Sequence, residues 1–298
     1  MGGAGPVSRI LVVGDVVDDV LVRPLGDPAY ASDTDAEIDQ QPGGSAANVA
    51  AWLGATGADV AFVGRAGLDG AGRHTDALVA RGVDAHVVAD PTRRTATIVL
   101  LVDPSGERTM YVDRGANSGL RPDDVPARYW HGLAWLHLTG YSFFDPAVRP
   151  VVRELMRRAR SAGVPVSVDP SSVGFLRQVG AGAFLEWTRG SSLLVPNVVE
   201  ARTLTGLRDP VEAGRQLARD HGEVVVTCGA RGAVWCGGTE VVHQPAPPVD
   251  VVDTTGAGDA FCAGMLAARA GGAPPHQQLA AGAQLAGRCV VRLGARPA

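Results

Sequence analysis

The chain has 298 residues, of which 46% are hydrophobic and 19% are charged, a balance typical of one large globular domain that buries a sizeable core. Its formal net charge of −4 at pH 7 provides no basic surface of the kind that binds nucleic acid or an anionic membrane. We therefore expect a small-molecule substrate, with neither a nucleic-acid nor a membrane partner.

Neither the cysteines nor the N-terminus indicates export. The 4 cysteines lack the paired spacing of a zinc site and the density of a disulfide-rich secreted domain. No apolar run approaches the roughly 20 residues that a membrane helix requires. Residues 1–6 lack a basic segment followed by an apolar one. The sequence thus predicts a cytoplasmic protein with reduced thiols.

Short apolar runs alternate with amphipathic stretches along most of the chain. The first run, residues 10–13, is followed by Gly14-Asp15, the usual opening of an α/β sheet. Amphipathic stretches at 148–162 and 211–221 precede two of the later runs. The later runs are residues 60–63, 133–138, 164–168, 193–195 and 224–227. This alternation predicts a mostly parallel sheet with helices on both faces, a three-layer α/β sandwich.

One region departs from the alternation. Residues 95–102 and 108–112 are rich in β-forming side chains, and the turn-forming sequence Asp103-Pro104-Ser105-Gly106-Glu107 separates them. This pattern predicts a hairpin. Because residues 21–41 are also extended and polar, we expect segments of about 20–42 and 93–116 to build a small β lid. Since no repeat or linker divides the chain, residues 1–298 are expected to form one domain.

The most informative segment is a glycine-rich turn that leads into a helical run, Asp253-Thr254-Thr255-Gly256-Ala257-Gly258-Asp259. Gly256 and Gly258 let backbone amides approach a ligand, and a helix N-terminus attracts anions such as phosphate. A carboxylate beside a phosphate is repelled, unless it serves to take a proton from an attacking hydroxyl. Asp259 is therefore predicted to be a general base; the alternative is that it only caps a helix.

Several motifs resemble those of the ribokinase-like, or PfkB-type, carbohydrate kinases. Residues 253–261 are similar to the family's C-terminal signature, and Gly43-Gly44-Ser45-Ala46-Ala47-Asn48 is similar to its Gly-Gly signature. Residues 63–72 resemble its G-x-x-G-x-D-x-x-G stretch, and residues 197–200 its Asn-x-x-Glu element. The motifs occur in the family's order along nearly the whole chain. The resemblance implies a ribokinase-like fold and ATP-dependent phosphorylation of a sugar hydroxymethyl group.

The resemblance also implies an acceptor site. Asp19 matches an acidic residue that holds two substrate hydroxyls, with Asp18 as the competitor in register; a carboxylate can accept two charge-assisted hydrogen bonds. Gly43 and Gly44 can lie against a polyol, and Asn48 offers it a donor and an acceptor. The alternatives are that Asp19 is only a solvated loop acid, that Gly43 and Gly44 form a plain turn, and that Asn48 is a buried asparagine without a substrate contact.

For the nucleotide, the resemblance implies contacts from the Asn-x-x-Glu element and from a loop after a predicted strand: Asn197, Glu200, Thr227, Gly229 and Gly232. Mg²⁺ is usually bound through one carboxylate, waters and nucleotide phosphates, which makes Glu200 its candidate ligand. The alternative is that Glu200 only stabilises the start of a helix. ATP and Mg²⁺ are thus the expected cofactors.

The resemblance adds a monovalent cation and a mechanism. Asp253 and Thr255, with backbone carbonyls near Arg292 and Gly294, match positions that bind K⁺ in many family members; the alternative is that Asp253 fixes the turn. We expect direct in-line transfer, with an anion hole stabilising the charge that develops. The hole is made by Gly256, Ala257 and Gly258. The lid of such kinases often mediates a homodimer, which is the expected assembly.

The acceptor is less defined. Ribokinases proper tend to carry Asn, Lys and Glu where this chain has Val17, Ser45 and Gly140, so the sequence resembles the fructokinase, ketodeoxygluconate kinase and nucleoside kinase branches more closely. A sugar-acid kinase needs cationic contacts, such as Arg114 or Arg108, although Arg114 also fits a surface arginine. A nucleoside kinase needs an apolar slot, for which the candidates are Tyr141, Phe143, Phe144 and Phe175.

A third alternative comes from a different class of protein. A non-catalytic sugar-binding regulatory protein on this fold is expected to have lost the base or the anion hole. This chain retains Asp259 and residues 256–258, which favours an enzyme.

Overall fold

The computed structural model describes residues 9–27, 29–103 and 108–298. The predicted turn lies outside the described residues from 104 to 107, as does the N-terminal stretch 1–6. The strands are β1 (Arg9–Val13), β2 (Val17–Pro24), β3 (Ala36–Gly43), β4 (Val60–Gly67), β5 (Asp84–Asp90), β6 (Ala96–Val102), β7 (Arg108–Asp113), β8 (Leu133–Thr139), β9 (Val166–Asp169), β10 (Leu193–Leu194), β11 (Glu223–Thr227), β12 (Ala233–Gly237) and β13 (Glu240–Gln244).

Helices connect most of these strands. They are α1 (Ser45–Ala55), α2 (Ala71–Val79), α3 (Gly140–Phe144), α4 (Arg149–Ser161), α5 (Val173–Val179), α6 (Ala181–Thr188), α7 (Val198–Thr205), α8 (Pro210–His221), α9 (Ala257–Ala270) and α10 (Pro275–Val290). Within the described ranges no helix is long and apolar enough to cross a membrane.

A large, mostly parallel sheet forms the centre of the molecule. In the described part of the chain it has nine strands, in the order β13-β12-β11-β10-β9-β8-β1-β4-β5. The strands from β11 to β5 pair in parallel, whereas β12 and β13 pair antiparallel at one edge. The carboxyl ends of the parallel strands therefore meet along one edge of the sheet, where ligands of such sheets usually bind.

The two faces of the sheet carry separate cores. Ile10 and Val12 on β1 belong to a cluster with side chains of α1, α9 and α10. Leu11 and Val13 belong to a second cluster with side chains of α4, α6 and α8. Because successive side chains of a strand point to opposite faces, β1 is buried on both sides. The predicted mostly parallel sheet with helices on both faces is confirmed.

A smaller sheet lies beside the large one. Among the described residues it has four strands in the order β3-β2-β6-β7, with β2 and β6 parallel and both outer pairs antiparallel. Its strands fall in the two segments expected to build a lid, although β2 begins earlier, at Val17. We call this sheet the lid.

The hairpin of β12 and β13 had no counterpart in the sequence prediction. Its turn contains Gly238, which has a φ of +56°, a value that glycine adopts at no steric cost. The dipeptide Gly237-Gly238 between two short apolar runs is a local hairpin signal.

The cysteines agree with the prediction, since all four are free and buried: Cys228, Cys236, Cys262 and Cys289.

Candidate active site

A cavity of about 330 Å³ lies between the carboxyl ends of the parallel strands and the lid. Most of the predicted site residues line it: Asp19, Gly44, Asn48, Arg114, Asn197, Glu200, Thr227, Thr255, Gly256, Gly258 and Asp259. The remaining ones are not part of this lining: Gly43, Ala257, Gly229, Gly232 and Asp253. Residues that are about 240 positions apart in the sequence thus face one space.

The glycine-rich turn shapes one end of the cavity. Gly256 precedes α9 with a φ of +75°, and a Cβ there would lie 2.6 Å from the Ala295 carbonyl oxygen. Only glycine fits both the backbone angle and this approach. The first amides of a helix have no intrahelical partner, and the dipole of the helix favours an anion at this position. In this structure the Ala257 amide donates to the Thr254 carbonyl oxygen at 3.2 Å.

Asp259 lies in the first turn of α9. Its Oδ1 accepts a hydrogen bond from Ser45 Oγ at 2.7 Å, and its Oδ2 accepts one from Asn48 Nδ2 at 3.0 Å. Both donors belong to α1. Side chains of α1 thus orient the Asp259 carboxylate. A residue that only caps its own helix does not need such contacts.

The surroundings of Asp259 disfavour its charge. Burial raises the pKa of Asp259 to about 8, and the negative charges of Asp169 and Asp15 add to the rise. The hydrogen bonds from Ser45 and Asn48 act in the opposite direction. A carboxylate that is buried near other acids is a stronger base than one in water, so Asp259 can accept a proton from a hydroxyl.

This raised pKa predicts a pH-dependent cost in stability. Between the ordinary pKa of 3.8 and about 8 the folded state binds more protons than the unfolded state, so stability falls as the pH rises through this window. Asp259→Asn removes the charge, and we expect it to raise the free energy of unfolding by several kcal/mol at about pH 9, and by little near pH 4. Denaturant melts of both proteins across this range measure the difference. A difference in unfolding free energy between the two proteins that does not change with pH would contradict the raised pKa of Asp259.

Asp15 was not predicted as a site residue. Its Oδ2 accepts from the Ser45 amide at 2.7 Å, and its Oδ1 accepts from the Ala46 amide at 3.2 Å and from Thr139 Oγ1 at 2.9 Å. Asp15 therefore holds the N-terminus of α1 and, with it, the Ser45 hydroxyl that reaches Asp259. An aspartate directly after the first buried strand was the available signal.

The structure separates Asp19 from its competitor. Asp18 accepts from Arg73 Nη1 at 2.6 Å and lies 3.0 Å from His74 Nε2, whereas Asp19 lines the cavity. Burial raises the pKa of Asp19 to about 7, an effect that the charge of Arg296 opposes. Asp19 also explains Gly43, because a Cβ at that position would lie 2.0 Å from Asp19 Oδ2.

Asn48 is engaged at both ends of its amide. Its Nδ2 donates to Asp259, and its Oδ1 accepts from Arg296 Nε at 2.9 Å. Only 5% of Asn48 is exposed. These are the contacts of the buried-asparagine alternative, and a sugar contact stays a prediction. Arg296 itself was not predicted from the sequence.

The lid side of the cavity is largely apolar. The lid contributes Ile98, Leu100, Met110 and Val112, and α3 contributes Tyr141. Tyr141 and Phe175 pack edge to face, with ring centroids 6.2 Å apart. Edge-to-face packing of aromatic rings is energetically favourable.

The arginines and phenylalanines predicted as possible acceptor contacts lie in different surroundings. The Arg114 guanidinium stacks 4.9 Å from the centre of the Phe175 ring and donates to the Tyr141 carbonyl oxygen at 3.2 Å. Phe143 and Phe144 are buried in the core. The Arg108 side chain lies outside the described residues.

Asn197 and Glu200 line the cavity and form a reciprocal cap on α7. Asn197 Oδ1 accepts from the Glu200 amide at 2.9 Å, and Glu200 Oε2 accepts from the Asn197 amide at 2.9 Å, which is a capping box. Burial and the nearby Asp169 raise the pKa of Glu200. Glu200 therefore does stabilise the start of a helix. Glu200 and Asp169, which both line the cavity, also form a pair of carboxylates that favours a cation.

The loop after β11 is shaped by its glycines. Thr227 lines the cavity and its amide donates to the Pro196 carbonyl oxygen at 3.0 Å. Gly232 has a φ of +91°, and a Cβ there would lie 1.9 Å from the Gln244 carbonyl oxygen. This glycine is required by the packing of the β12–β13 hairpin, and its nucleotide contact stays a prediction.

Asp253 fixes its own turn. Its Oδ1 accepts from the Thr255 amide at 2.8 Å and from Thr255 Oγ1 at 2.7 Å, and its Oδ2 accepts from the Gly294 amide at 3.1 Å. The turn-fixing role weighed for Asp253 is therefore observed, and K⁺ binding there stays a prediction. Across residues 9–27, 29–103 and 108–298, no three or more His, Cys, Asp or Glu side chains are grouped to hold a metal ion.

Comparison with known proteins identifies the family. Residues 7–298 match the pfkB family carbohydrate kinases. A fructokinase from Klebsiella pneumoniae is 33% identical over 292 residues, covering 94% of this chain and 90% of that protein. An aminoimidazole riboside kinase from Salmonella typhimurium is 32% identical over 272 residues, covering 87% and 80%.

A solved kinase structure is similar to this chain over nearly its whole length. The structure of a fructokinase with bound ATP from Xylella fastidiosa superposes with a TM-score of 0.84 at 26% identity, covering 97% of this chain and 94% of that one. The predicted ribokinase-like fold is thereby confirmed. The chain belongs to the pfkB family of carbohydrate kinases.

Proposed function

We propose that the protein transfers the γ-phosphoryl group of ATP to a hydroxymethyl group of a sugar or riboside, with Asp259 as the general base. The observation that carries this proposal is the position of Asp259. It lies beside the first amides of α9, is held by Ser45 and Asn48, and has a raised pKa. A base and an anion-binding helix start thus face the same cavity.

In this mechanism the acceptor hydroxyl lies between Asp259 and the phosphoryl group. Asp259 takes the hydroxyl proton as the oxygen attacks phosphorus, and the bond to the leaving ADP oxygen breaks on the opposite side. The amides of Gly256, Ala257 and Gly258 donate to the oxygens of the transferred group, where charge develops. The lid excludes water, which would otherwise compete as an acceptor.

Glu200 is the candidate that would hold Mg²⁺, together with Asp169. Their carboxylate oxygens are ligands that suit a hard cation. Burial raises the pKa of both, with the charge of Asp169 adding to the rise at Glu200 and the charge of Asp15 adding to the rise at Asp169. A bound cation would favour the ionised forms of both. When bound, Mg²⁺ neutralises phosphate charge. K⁺ at Asp253 and Thr255 is proposed separately, and activity that is the same in K⁺ and in a large organic cation would argue against it.

A pair of cap variants separates helix capping from nucleotide binding. Asn197 caps α7 beside the cavity, and Asp209 caps α8 by the same kind of contact, accepting from the Val211 and Glu212 amides. Each change to Ala should cost ~1 kcal/mol of stability. We expect only Asn197→Ala to raise the KM for Mg-ATP, by roughly tenfold. Equal KM values in the two variants would leave Asn197 with a capping role alone.

The apolar lid side gives a reason to keep a nucleoside acceptor as the second candidate. A free hexose offers mostly hydroxyls, whereas Ile98, Met110, Val112 and Tyr141 suit the flat, less polar base of a riboside. The relatives include a fructokinase and an aminoimidazole riboside kinase, so both acceptor classes occur close to this sequence.

The experiment that tests the function is an acceptor panel. ADP release with Mg-ATP is measured for pentoses, hexoses, ketodeoxygluconate and nucleosides, and the product is identified by phosphorus–proton NMR correlation. A phosphorylated hydroxymethyl group supports the proposal and names the acceptor class. Nucleotide and sugar binding without turnover would instead favour the regulatory alternative.

A homodimer through the lid is the assembly that we propose. Ile38, Leu101 and Tyr111 are exposed, and the strand register places them on the lid face that points away from the cavity. An exposed apolar sheet face commonly marks an interface. Light scattering should give twice the 30.7 kDa of one chain, and Tyr111→Asp should lower it.

A further inference from the structure

Arg296 carries a buried guanidinium near the proposed base. Only 9% of Arg296 is exposed. Its Nε donates to Asn48 Oδ1 at 2.9 Å and its Nη2 donates to the Gly43 carbonyl oxygen at 2.7 Å. Arg296 thus contacts both ends of the Gly-Gly signature, one beside Asp259 and the other beside Asp19.

The contact with Asn48 decides which way its amide faces. Arginine has only donors, so Asn48 must present its oxygen to Arg296. Its NH₂ group must then point the other way, where it donates to Asp259 Oδ2 at 3.0 Å. A flipped amide would place its oxygen against the Asp259 carboxylate and its NH₂ against the guanidinium, and both contacts would be repulsive.

Arg296 also carries positive charge into an acidic site. The charged groups around it are Asp15, Asp19, Asp259 and Arg81, and His74 is also close to it. Asp259 additionally faces Asp169 and Asp15, and Asp19 faces Asp15 and Asp18. Against this excess of carboxylates, a buried guanidinium favours the ionised forms of Asp19 and Asp259.

We propose that Arg296 is a positioning residue for phosphoryl transfer: it fixes the Asn48 amide as a donor to Asp259 and offsets the negative charge of Asp259 and Asp19. This inference rests on the proposed role of Asp259 as the base. Burial lowers the pKa of Arg296 only to about 10, so the guanidinium keeps its charge at neutral pH.

A merely structural role for Arg296 would be to anchor residues 291–297. Other contacts serve that purpose as well, because Trp52 Nε1 donates to the Ala295 carbonyl oxygen at 2.8 Å and Arg81 Nε donates to the Pro297 carbonyl oxygen at 3.0 Å. Arg81→Met is therefore a matched control. It removes an anchor and a neighbouring positive charge but leaves the contacts of Arg296 with Asn48 and Gly43 in place.

The kinetic test compares Arg296→Met, Arg296→Lys and Arg81→Met with the wild-type protein. We expect Arg296→Met to lower kcat by about 30-fold and to move the acid limb of the kcat/KM profile upward by about one pH unit, because the base must then ionise without its cation. Arg296→Lys should restore the acid limb but not the full kcat, since an ammonium cannot make both hydrogen bonds. Arg81→Met should retain the wild-type profile.

A second measurement on the free protein does not depend on turnover. With ¹³C-labelled aspartate carboxyls, assigned through Asp19→Asn and Asp259→Asn, the titrations of Asp19 and Asp259 should move to higher pH in Arg296→Met and remain in place in Arg296→Lys. Unchanged titrations, or equal effects of Arg81→Met, would overturn the role of Arg296. A wild-type protein that phosphorylates no acceptor would overturn the proposed function, while shifted titrations would still support the charge effect of Arg296.

Discussion

Asp259→Asn is expected to lower kcat by about 10³-fold, because a positioned general base commonly contributes 10² to 10⁴ in rate. Asparagine has the shape of aspartate and can keep a contact with Ser45, but it cannot take a proton from the acceptor. The KM for Mg-ATP should change little, since Asp259 faces the hydroxyl and not the leaving group. Steady-state ADP release at saturating acceptor measures the loss.

Asp18→Asn is the matched control for this variant. Asp18 is an aspartate on strand β2 of the lid, but it pairs with Arg73 and His74 and does not line the cavity. Its replacement should leave kcat within about twofold of the wild-type value. A kcat for Asp259→Asn within tenfold of wild type would exclude Asp259 as the base.

Gly256→Ala is expected to have the second-largest effect. Its φ of +75° is unfavourable for alanine, and the new Cβ would lie 2.6 Å from the Ala295 carbonyl oxygen and 2.7 Å from Ala295 Cα. The turn must move to relieve these contacts. Because the amides of residues 256–258 are proposed to stabilise the transferred group, we expect kcat to fall by about 10²-fold, with a loss of roughly 2 kcal/mol in stability.

Gly272→Ala provides the comparison. Gly272 follows α9 with a φ of +77°, and a Cβ there would meet no atom within 4 Å. This variant carries the same backbone strain without a clash and away from the cavity, so it should lose about 1 kcal/mol of stability and keep its kcat. If Gly256→Ala also kept its kcat, the proposed anion hole would be wrong.

Local signals explain why the glycine-rich turn and Asp259 could be predicted, whereas most of the other candidate site residues were implied by the resemblance to a kinase family. The turn at residues 253–259 and the start of α9 depend on glycine conformations and on a helix N-terminus, both of which are properties of a few consecutive residues. The apolar runs similarly predicted six of the nine described strands of the large sheet, β1, β4, β8, β9, β10 and β11. These features do not require knowledge of which distant segments meet.

The parts that escaped prediction depend on distant contacts. Ser45 and Arg296 reach Asp259 and Asn48 from 214 and 248 positions away in the sequence, and no local pattern indicates such a pairing. The choice between Asp18 and Asp19 depends on which face of β2 meets the cavity, which is set by its pairing with β3 and β6. A single sequence leaves that register open.

The most direct test of the central claim is a single-turnover experiment with ATP labelled at the γ-phosphate. Excess wild-type protein is mixed with labelled ATP and an acceptor from the panel, and the label is followed in the acceptor, in inorganic phosphate and on the protein. Direct transfer predicts that the label passes to a hydroxymethyl group of the acceptor, with no labelled protein at any time. Label that accumulates on the protein, or that reaches only water whatever acceptor is present, would contradict it.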